Sequence, residues 1–162
     1  MPAPVSLALF QPEIPANAGT LIRSAACLDF ALHIIGPTGF VMTDKALRRA
    51  GLDYRDKAMV SVHSDFDEFS RSLAWNPPRL VLATTKATLP YVNFSFRAND
   101  IVVMGRETSG APQWLHDRAD ERVLIPMMAD RRSLNMALAA GLIMGEALRQ
   151  TDSFPTADEG SQ

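Results

Sequence analysis

A chain of 162 residues with 47% apolar and 21% charged side chains has the composition of one globular domain, long enough to bury a real core. Its net charge of −2 gives no global attraction to nucleic acid or anionic membranes, so contact with a polyanion must come from local clusters. The single cysteine, Cys27, excludes an intrachain disulfide framework, no Cys/His spacing resembles a metal site, and no run of about 18 apolar residues suggests a membrane span. The opening MPAPVSLALF lacks a basic region followed by a long apolar run, so a cytoplasmic location is expected.

In chain order, residues 5–10 (VSLALF) read as a buried strand, and QPEIPANAG is too rich in Pro, Gly and Asn to continue it. Helical spacing follows over 20–29, where Cys27 reads as core with Leu21, Ser24 and Phe30. A second strand, 31–35 (ALHII), closes at Gly36 and Pro37. Residues 44–50 (DKALRRA) read as a short helix ended by Gly51, and Lys45, Arg48 and Arg49 make it the densest basic patch in the chain. After a third strand at 59–63, Ser64 is expected to cap a helix over 65–74, with Asp67 as a weaker capping-box partner.

The runs 79–84 (RLVLAT) and 101–104 (IVVM) have the continuous apolar character of parallel strands covered on both faces. GRETSGAP follows the second run; 112–117 reads as a short helix opened by its proline, and 122–125 (RVLI) as the last strand. A polar loop then holds Arg131, Arg132, Ser133 and Asn135, and a proline-free helix runs to Gln150 with Ser133 placed to cap it. Ala137, Gly141 and Gly145 recur every four residues on that helix, leaving one face nearly bare. Each glycine costs about 1 kcal/mol against Ala in a helix interior, so a close neighbour is expected, whether in a packed core or at an interface. Alternating strands and helices imply an α/β fold, a mostly parallel sheet flanked by helices. The reading gives one domain over 1–150 and a disordered acidic tail over 151–162.

In such sheets ligands gather at the carboxyl ends of the strands, which directs attention to PANAGTLIR, ATTKAT, GRETSGAP and IPMMADRRSLN. Neither G-x-G-x-x-G nor G-x-x-x-x-G-K-[ST] occurs, which argues against a dinucleotide dehydrogenase or a P-loop nucleotide hydrolase. His33, His63 and His116 have no serine or cysteine partner that the sequence indicates, and read as structural or exposed. Asn17 and Arg23 are six residues apart across a loop-to-helix junction that can place both at one mouth. Taken alone, Arg23 reads more readily as a surface ion-pair partner, and Glu107 as a loop-ordering carboxylate rather than a catalyst.

Three spaced segments together resemble a family: NAGTLIR (17–23), GRETSGAP (105–112) and IPM…RSLN (125–135) look like the motifs of SPOUT-class RNA ribose methyltransferases. With EIPANAG, LHIIGP and LRRAGLDY, the chain most resembles the small bacterial tRNA wobble-nucleotide 2′-O-methyltransferases. The resemblance implies a C-terminal trefoil knot, an exception to the rule that chains are unknotted. It also implies a homodimer, S-adenosylmethionine as methyl donor, and the anticodon stem-loop of tRNA as partner. Its cofactor pocket falls on Ala83, Thr84, Gly105, Glu107, Ile125, Ser133, Leu134 and Asn135. Arg106 and Ser109 stand where the family has a proline and a basic residue, and Ala137 where serine is common.

Family accounts give the first-motif arginine, here Arg23, the activating role. Lowering a guanidinium pKa from above 12 to near 7 requires roughly 7 kcal/mol, so Arg23 is expected to stabilise a developing alkoxide rather than act as a base. Asn17 is expected to orient it, with Ser133 and Asn135 positioning the reactants. Lys45, Arg48, Arg49, Arg55, Arg106, Arg131 and Arg132 are the expected phosphate contacts. Apolar residues on several sides of the last helix, including Leu134, Leu138, Leu142, Ile143 and Met144, independently suggest a dimer. A non-catalytic RNA-binding module and a small-molecule α/β enzyme are the rival readings.

Overall fold

Among the described residues, six short strands form one parallel sheet: β1 (Ser6–Phe10), β2 (Leu32–Ile35), β3 (Val60–His63), β4 (Leu80–Ala83), β5 (Ile101–Met104) and β6 (Glu121–Val123), in the order β3-β2-β1-β5-β4-β6. Among the described residues, helices α1 (Pro15–Leu28), α2 (Phe66–Ser72), α3 (Gln113–Arg118) and α4 (Met136–Gln150) connect and cover them. The structure, a computed structural model, describes residues 3–41, 45, 54 and 57–156. The basic helix expected over 44–50 and Arg55 lie outside the described residues apart from Lys45, which is helical and exposed.

Strand alternation sorts the core into two layers. Leu7 and Leu9 of β1 and Val102 and Met104 of β5 point to one face, where they meet Ala18, Leu21 and Ile22 of α1 and Ala140, Ile143 and Ala147 of α4. Ala8, Phe10, Ile101 and Val103 point to the other, against Phe69 of α2 and Leu115 of α3. Both faces of the central strands are therefore dry, which is why their sequences carry almost no polar residues. The chain runs outward from β1 through β2 to β3, then crosses to β4, β5 and β6 on the other side of β1, and the crevice beyond the carboxyl ends of β1 and β5 is where such a sheet admits a ligand. At the opposite end the Arg79 guanidinium grips buried Asp100 with bonds of 2.9 and 2.7 Å, fastening β4 to β5 away from that crevice.

Several boundaries differ from expectation for local reasons. Helix α1 begins at Pro15 rather than residue 20, with Ile14 as N-cap, and so contains Asn17. Proline is pre-set for a first helical turn, where its missing N–H has no intrahelical acceptor anyway. Cys27 is exposed, not core; it lies nine residues and about two and a half turns from Ala18, on the side away from the buried stripe. The cap of α2 is Asp65, not Ser64: its carboxylate accepts the Glu68 N–H at 2.8 Å, while the Glu68 side chain accepts from the Ser64 N–H. In α3, Pro112 is the N-cap rather than the first helical residue. Strand β6 is shorter than expected because the Leu124 N–H turns to the Leu89 carbonyl, 2.9 Å away, and leaves the ladder. After α4, the Thr151 and Ser153 N–H groups bond back to Ala147 and Leu148 at 3.1 and 2.9 Å, and residues 157–162 lie outside the described residues.

Candidate active site

The loops after β4, β5 and β6, together with the first turns of α4, enclose a cleft of about 370 Å³, within the range of small-molecule sites. Its floor is apolar, from Met104, Val123, Ile125, Met136 and Ile143, and its rim carries Thr84, Lys86, Arg106, Glu107, Arg132 and Ser133. Three cations and one carboxylate thus face it among the described residues, an excess of positive charge that the net charge of the whole chain conceals. Gly105 is required at the bottom of the β5 loop, because a Cβ there would meet the Ala111 nitrogen at 2.6 Å and the Gly110 carbonyl carbon at 2.7 Å. Gly110 takes a positive φ of 69° that turns the loop back, and it exchanges two backbone hydrogen bonds with Arg106, at 3.2 and 3.0 Å.

Beside the cleft, one hydrogen-bonded chain joins parts far apart in sequence. The Glu107 carboxylate accepts the Glu13 N–H at 2.8 Å and the Ile14 N–H at 3.1 Å, and more weakly the Asn17 amide at 3.5 Å. The Asn17 carbonyl oxygen in turn accepts from the Asn135 amide at 3.0 Å. Asn135, not Ser133, caps α4: its own carbonyl oxygen accepts the Leu138 N–H at 3.1 Å. A second tie runs in parallel, where the Thr108 hydroxyl donates to the Glu13 carboxylate at 2.8 Å and Arg106 donates through Nε to Gln11 at 2.8 Å. Glu107 also sets negative charge at the N-terminus of α1, where the helix dipole favours it.

Three of the four loops marked by the sequence line this cleft, and the fourth is bound to its wall through Asn17, with Glu13 just before it held by the same carboxylate. A model of the SpoU rRNA methylase family matches residues 4–145. The chain belongs to this family. A curated relative from Ancylobacter novellus, a tRNA (cytidine(34)-2'-O)-methyltransferase, is 46% identical over 156 residues, covering 96% of this chain and 99% of its own. A solved structure concerned with 2-OH methylation of C/U34 on tRNA superposes with a TM-score of 0.86 at 37% identity, over 93% of this chain and 97% of that one. The AviRb SpoU methyltransferase of Streptomyces viridochromogenes, solved with AdoMet, gives a TM-score of 0.83 at 26% identity, over 93% of this chain and 61% of that one.

In this SpoU methylase family member, Ala83, Thr84, Gly105, Glu107, Ile125, Ser133 and Leu134 all line the cleft. Asn135 stands just behind it, tied to Asn17. Arg106 and Arg132 line the cleft as well, whereas exposed Arg131 lies 3.6 Å from Asp130. Arg48, Arg49 and Arg55 lie outside the described residues. Arg23 is exposed on α1, apart from the Asn17 network, with its guanidinium 5.0 Å over the Tyr54 ring. Since α1 starts at Pro15, Asn17 and Arg23 sit on one helix about one and two-thirds turns apart, and among the described residues no hydrogen bond links them.

Lys86 and Met127 enter the cleft from loops that the sequence marked without singling these residues out, whereas Met136 and His116 in the lining had no such pointer. His116 is buried; its Nδ1 lies 3.2 Å from the Pro112 carbonyl, which can only accept, so in the neutral ring Nε2 accepts from the Thr84 hydroxyl at 2.9 Å. Helical spacing from Pro112 was the only signal for that contact. His33 and His63 pair elsewhere, under α2, with ring nitrogens 3.1 Å apart and Phe69 edge-on to both. Burial and the neighbouring His63 push His33 down to about 4; burial lowers His63 too, opposed by Glu68. Among the described residues no group of three or more His, Cys, Asp or Glu side chains is placed to hold a metal ion, and no helix is long and apolar enough to cross a membrane.

Proposed function

We propose that this chain transfers a methyl group from S-adenosylmethionine to the ribose 2′-hydroxyl of the first anticodon nucleotide of tRNA. The observation that carries the reading is the Glu107–Asn17–Asn135 chain, which draws the three motifs together beside a cleft whose loops hold seven of the eight expected cofactor residues. The names of the relatives supply the reaction and substrate: 2′-O-methylation at cytidine 34 in one, 2-OH methylation of C/U34 in the other.

The cleft suits the cofactor on physical grounds. Its volume of about 370 Å³ and apolar floor suit a nucleoside joined to an amino acid, and Gly105 lets backbone approach closely. When bound, S-adenosylmethionine supplies an electrophilic sulfonium methyl. Thr84, Glu107, Ser133 and Leu134 would hold it, with Ala83, Gly105 and Ile125 shaping the walls. Asn135 and Asn17 fix the entry of α4, so Ser133 and Leu134 are held without a cap of their own. The ribose hydroxyl is a poor nucleophile and must be placed in line. Arg23 stabilises the alkoxide that develops as a substrate phosphate or water takes the hydroxyl proton, and Asn17 acts through the shared helix α1, ordering the motif rather than touching the guanidinium.

Arg23 does not line its own chain's cleft, which supports a homodimer in which Arg23 of the partner subunit completes each site. The face of α4 offers the contact: Leu138 and Leu142 are 56% and 41% exposed, and among the described residues a Cβ at Gly141 or Gly145 would meet nothing within 4 Å. Of the stripe expected to be covered, Ala137 packs against the core while Gly141 and Gly145 are open among the described residues, and a second copy would cover them. The proposal includes a trefoil knot formed by the segment from β6 into α4, a single domain over 1–150, an acidic tail over 151–162, and action in the cytoplasm. Lys45, Arg48, Arg49, Arg55, Arg106, Arg131 and Arg132 remain the proposed phosphate contacts.

The test is incubation of the purified chain with methyl-labelled S-adenosylmethionine and total tRNA, followed by mapping of the modified ribose. Label at the first anticodon nucleotide is expected. Stoichiometric cofactor binding with no transfer to any RNA would leave a binding module, and turnover on small molecules indifferent to RNA would leave a different enzyme.

A further inference from the structure

Trp114 is used by nothing in the mechanism above, yet it stands on α3, the helix that gives the cleft its His116. It lies on α3 between Pro112 and His116; His116 lines the cleft, while the indole faces outward and is 48% exposed. Its ring meets Phe10 edge-to-face, with centroids 5.4 Å apart, and Phe66 in the same manner at 5.1 Å. Phe10 is the buried last residue of β1, and the Arg106 guanidinium lies over that same ring at 5.1 Å. Arg106 is further fixed through Nε and Nη2 on Gln11, and among the described residues its Nη1 has no hydrogen-bond partner. The result is a half-exposed indole and an oriented cation held against one buried ring, the cation lining the cleft and the indole two residues before cleft-lining His116.

We propose that Trp114 and Arg106 form a subsite for one unpaired nucleotide of the substrate RNA next to the methylated ribose, the base on the indole and its phosphate on Arg106 Nη1. This rests on the RNA-methylation reading. Stacking on an aromatic ring is tolerant of base identity, and a guanidinium matches phosphate geometry. Both groups are already ordered by packing, so binding pays little of the usual rotamer entropy. A protein partner is disfavoured by the surroundings, since the adjoining cleft rim also carries Lys86 and Arg132, cations suited to a polyanion.

The chain has two tryptophans, and Trp75, wholly exposed beyond α2 at the other end of the sheet, is expendable as a reporter. In Trp75→Phe, titration with a synthetic anticodon stem-loop RNA should quench Trp114 emission saturably. In the natural background, Trp114→Ala should raise KM for that RNA roughly 5- to 150-fold, the scale of one lost base stack, with the dissociation constant for S-adenosylhomocysteine unchanged by calorimetry. Trp114→Phe, which keeps an aromatic ring against Phe10 and Phe66, should fall between the two and melt near the parent. The subsite is wrong if Trp75→Phe methylates the stem-loop while Trp114 emission stays constant, or if KM for both Trp114 variants stays within about twofold of the parent. It is equally wrong if emission responds only to an added protein. A parent chain that methylates no RNA removes the functional reading, and the subsite with it.

Discussion

Replacing Glu107 by Gln tests whether one carboxylate organises the site. The side chain accepts two backbone N–H groups, from Glu13 at 2.8 Å and Ile14 at 3.1 Å, at the start of a helix whose N-cap, Ile14, provides no side-chain cap. Gln keeps the shape and one oxygen, but sets an NH₂ against one of those donors and removes the charge. A hydrogen bond to a charged group contributes about 1.5–3 kcal/mol, and the charge near the helix N-terminus about 0.3–1 kcal/mol more. Because the Ile14 bond is exposed, the lower end applies, about 2 kcal/mol. For a chain of this size that is a fall of roughly 4–8 °C in melting temperature. Thermal unfolding followed by circular dichroism measures it, and calorimetry should show weaker S-adenosylmethionine binding because the β5 loop loses its anchor. A Glu107→Gln protein that melts within about a degree of the parent and binds the cofactor equally would refute the reasoning.

Other perturbations separate the remaining roles. Arg23→Ala should lower turnover about 100- to 1000-fold, the scale of losing one oxyanion donor, with cofactor affinity nearly intact; loss of cofactor binding with normal chemistry would reverse that assignment. Leu138→Glu should shift the chain from dimer to monomer in sedimentation at micromolar concentration, and a parent that sediments only as monomer would remove the shared-site proposal. Stability should also depend on pH through His33, whose pKa falls from 6.5 to about 4 on folding. Between those values the unfolded chain binds a proton that the folded chain refuses, so stability is full above about pH 6.5 and declines as pH falls toward 4. At 1.36 kcal/mol per unit the whole shift is worth about 3 kcal/mol; screening of this partly exposed ring reduces that to about 1–2 kcal/mol. Urea unfolding across that window measures it, and His33→Gln should flatten the slope.

The sheet was legible because IVVM and LVLA, buried on both faces, leave no ambiguity about their environment. The cleft was legible through its loops, since small and polar residues after parallel strands have few other uses. What stayed hidden was decided by partners distant in sequence. The first turn of α1 is held by Glu107, whose bond to Glu13 spans 94 residues, so no local cap announces the start at Pro15. Ser133 is as good a cap by type as Asn135, and only the amide's second bond, to Asn17, selects Asn135. Cys27 went astray because apolar spacing alone left the phase of α1 undetermined, and the buried stripe of Ala18, Leu21, Ile22 and Ala25 fixes it. Lys86 and His116 enter the cleft by loop and helix trajectories that periodicity does not encode.

The central claim is that the acceptor is a ribose hydroxyl at the first anticodon position, and a single substitution in the RNA addresses it. An anticodon stem-loop and its counterpart carrying one 2′-deoxy nucleotide at that position differ in the proposed nucleophile alone, which is also the group that distinguishes RNA from DNA there. With methyl-labelled S-adenosylmethionine, the account predicts label on the ribose of the first RNA, none on the second, and comparable binding of both. Label on the base of the deoxy substrate, or equal methylation of the two, would contradict it.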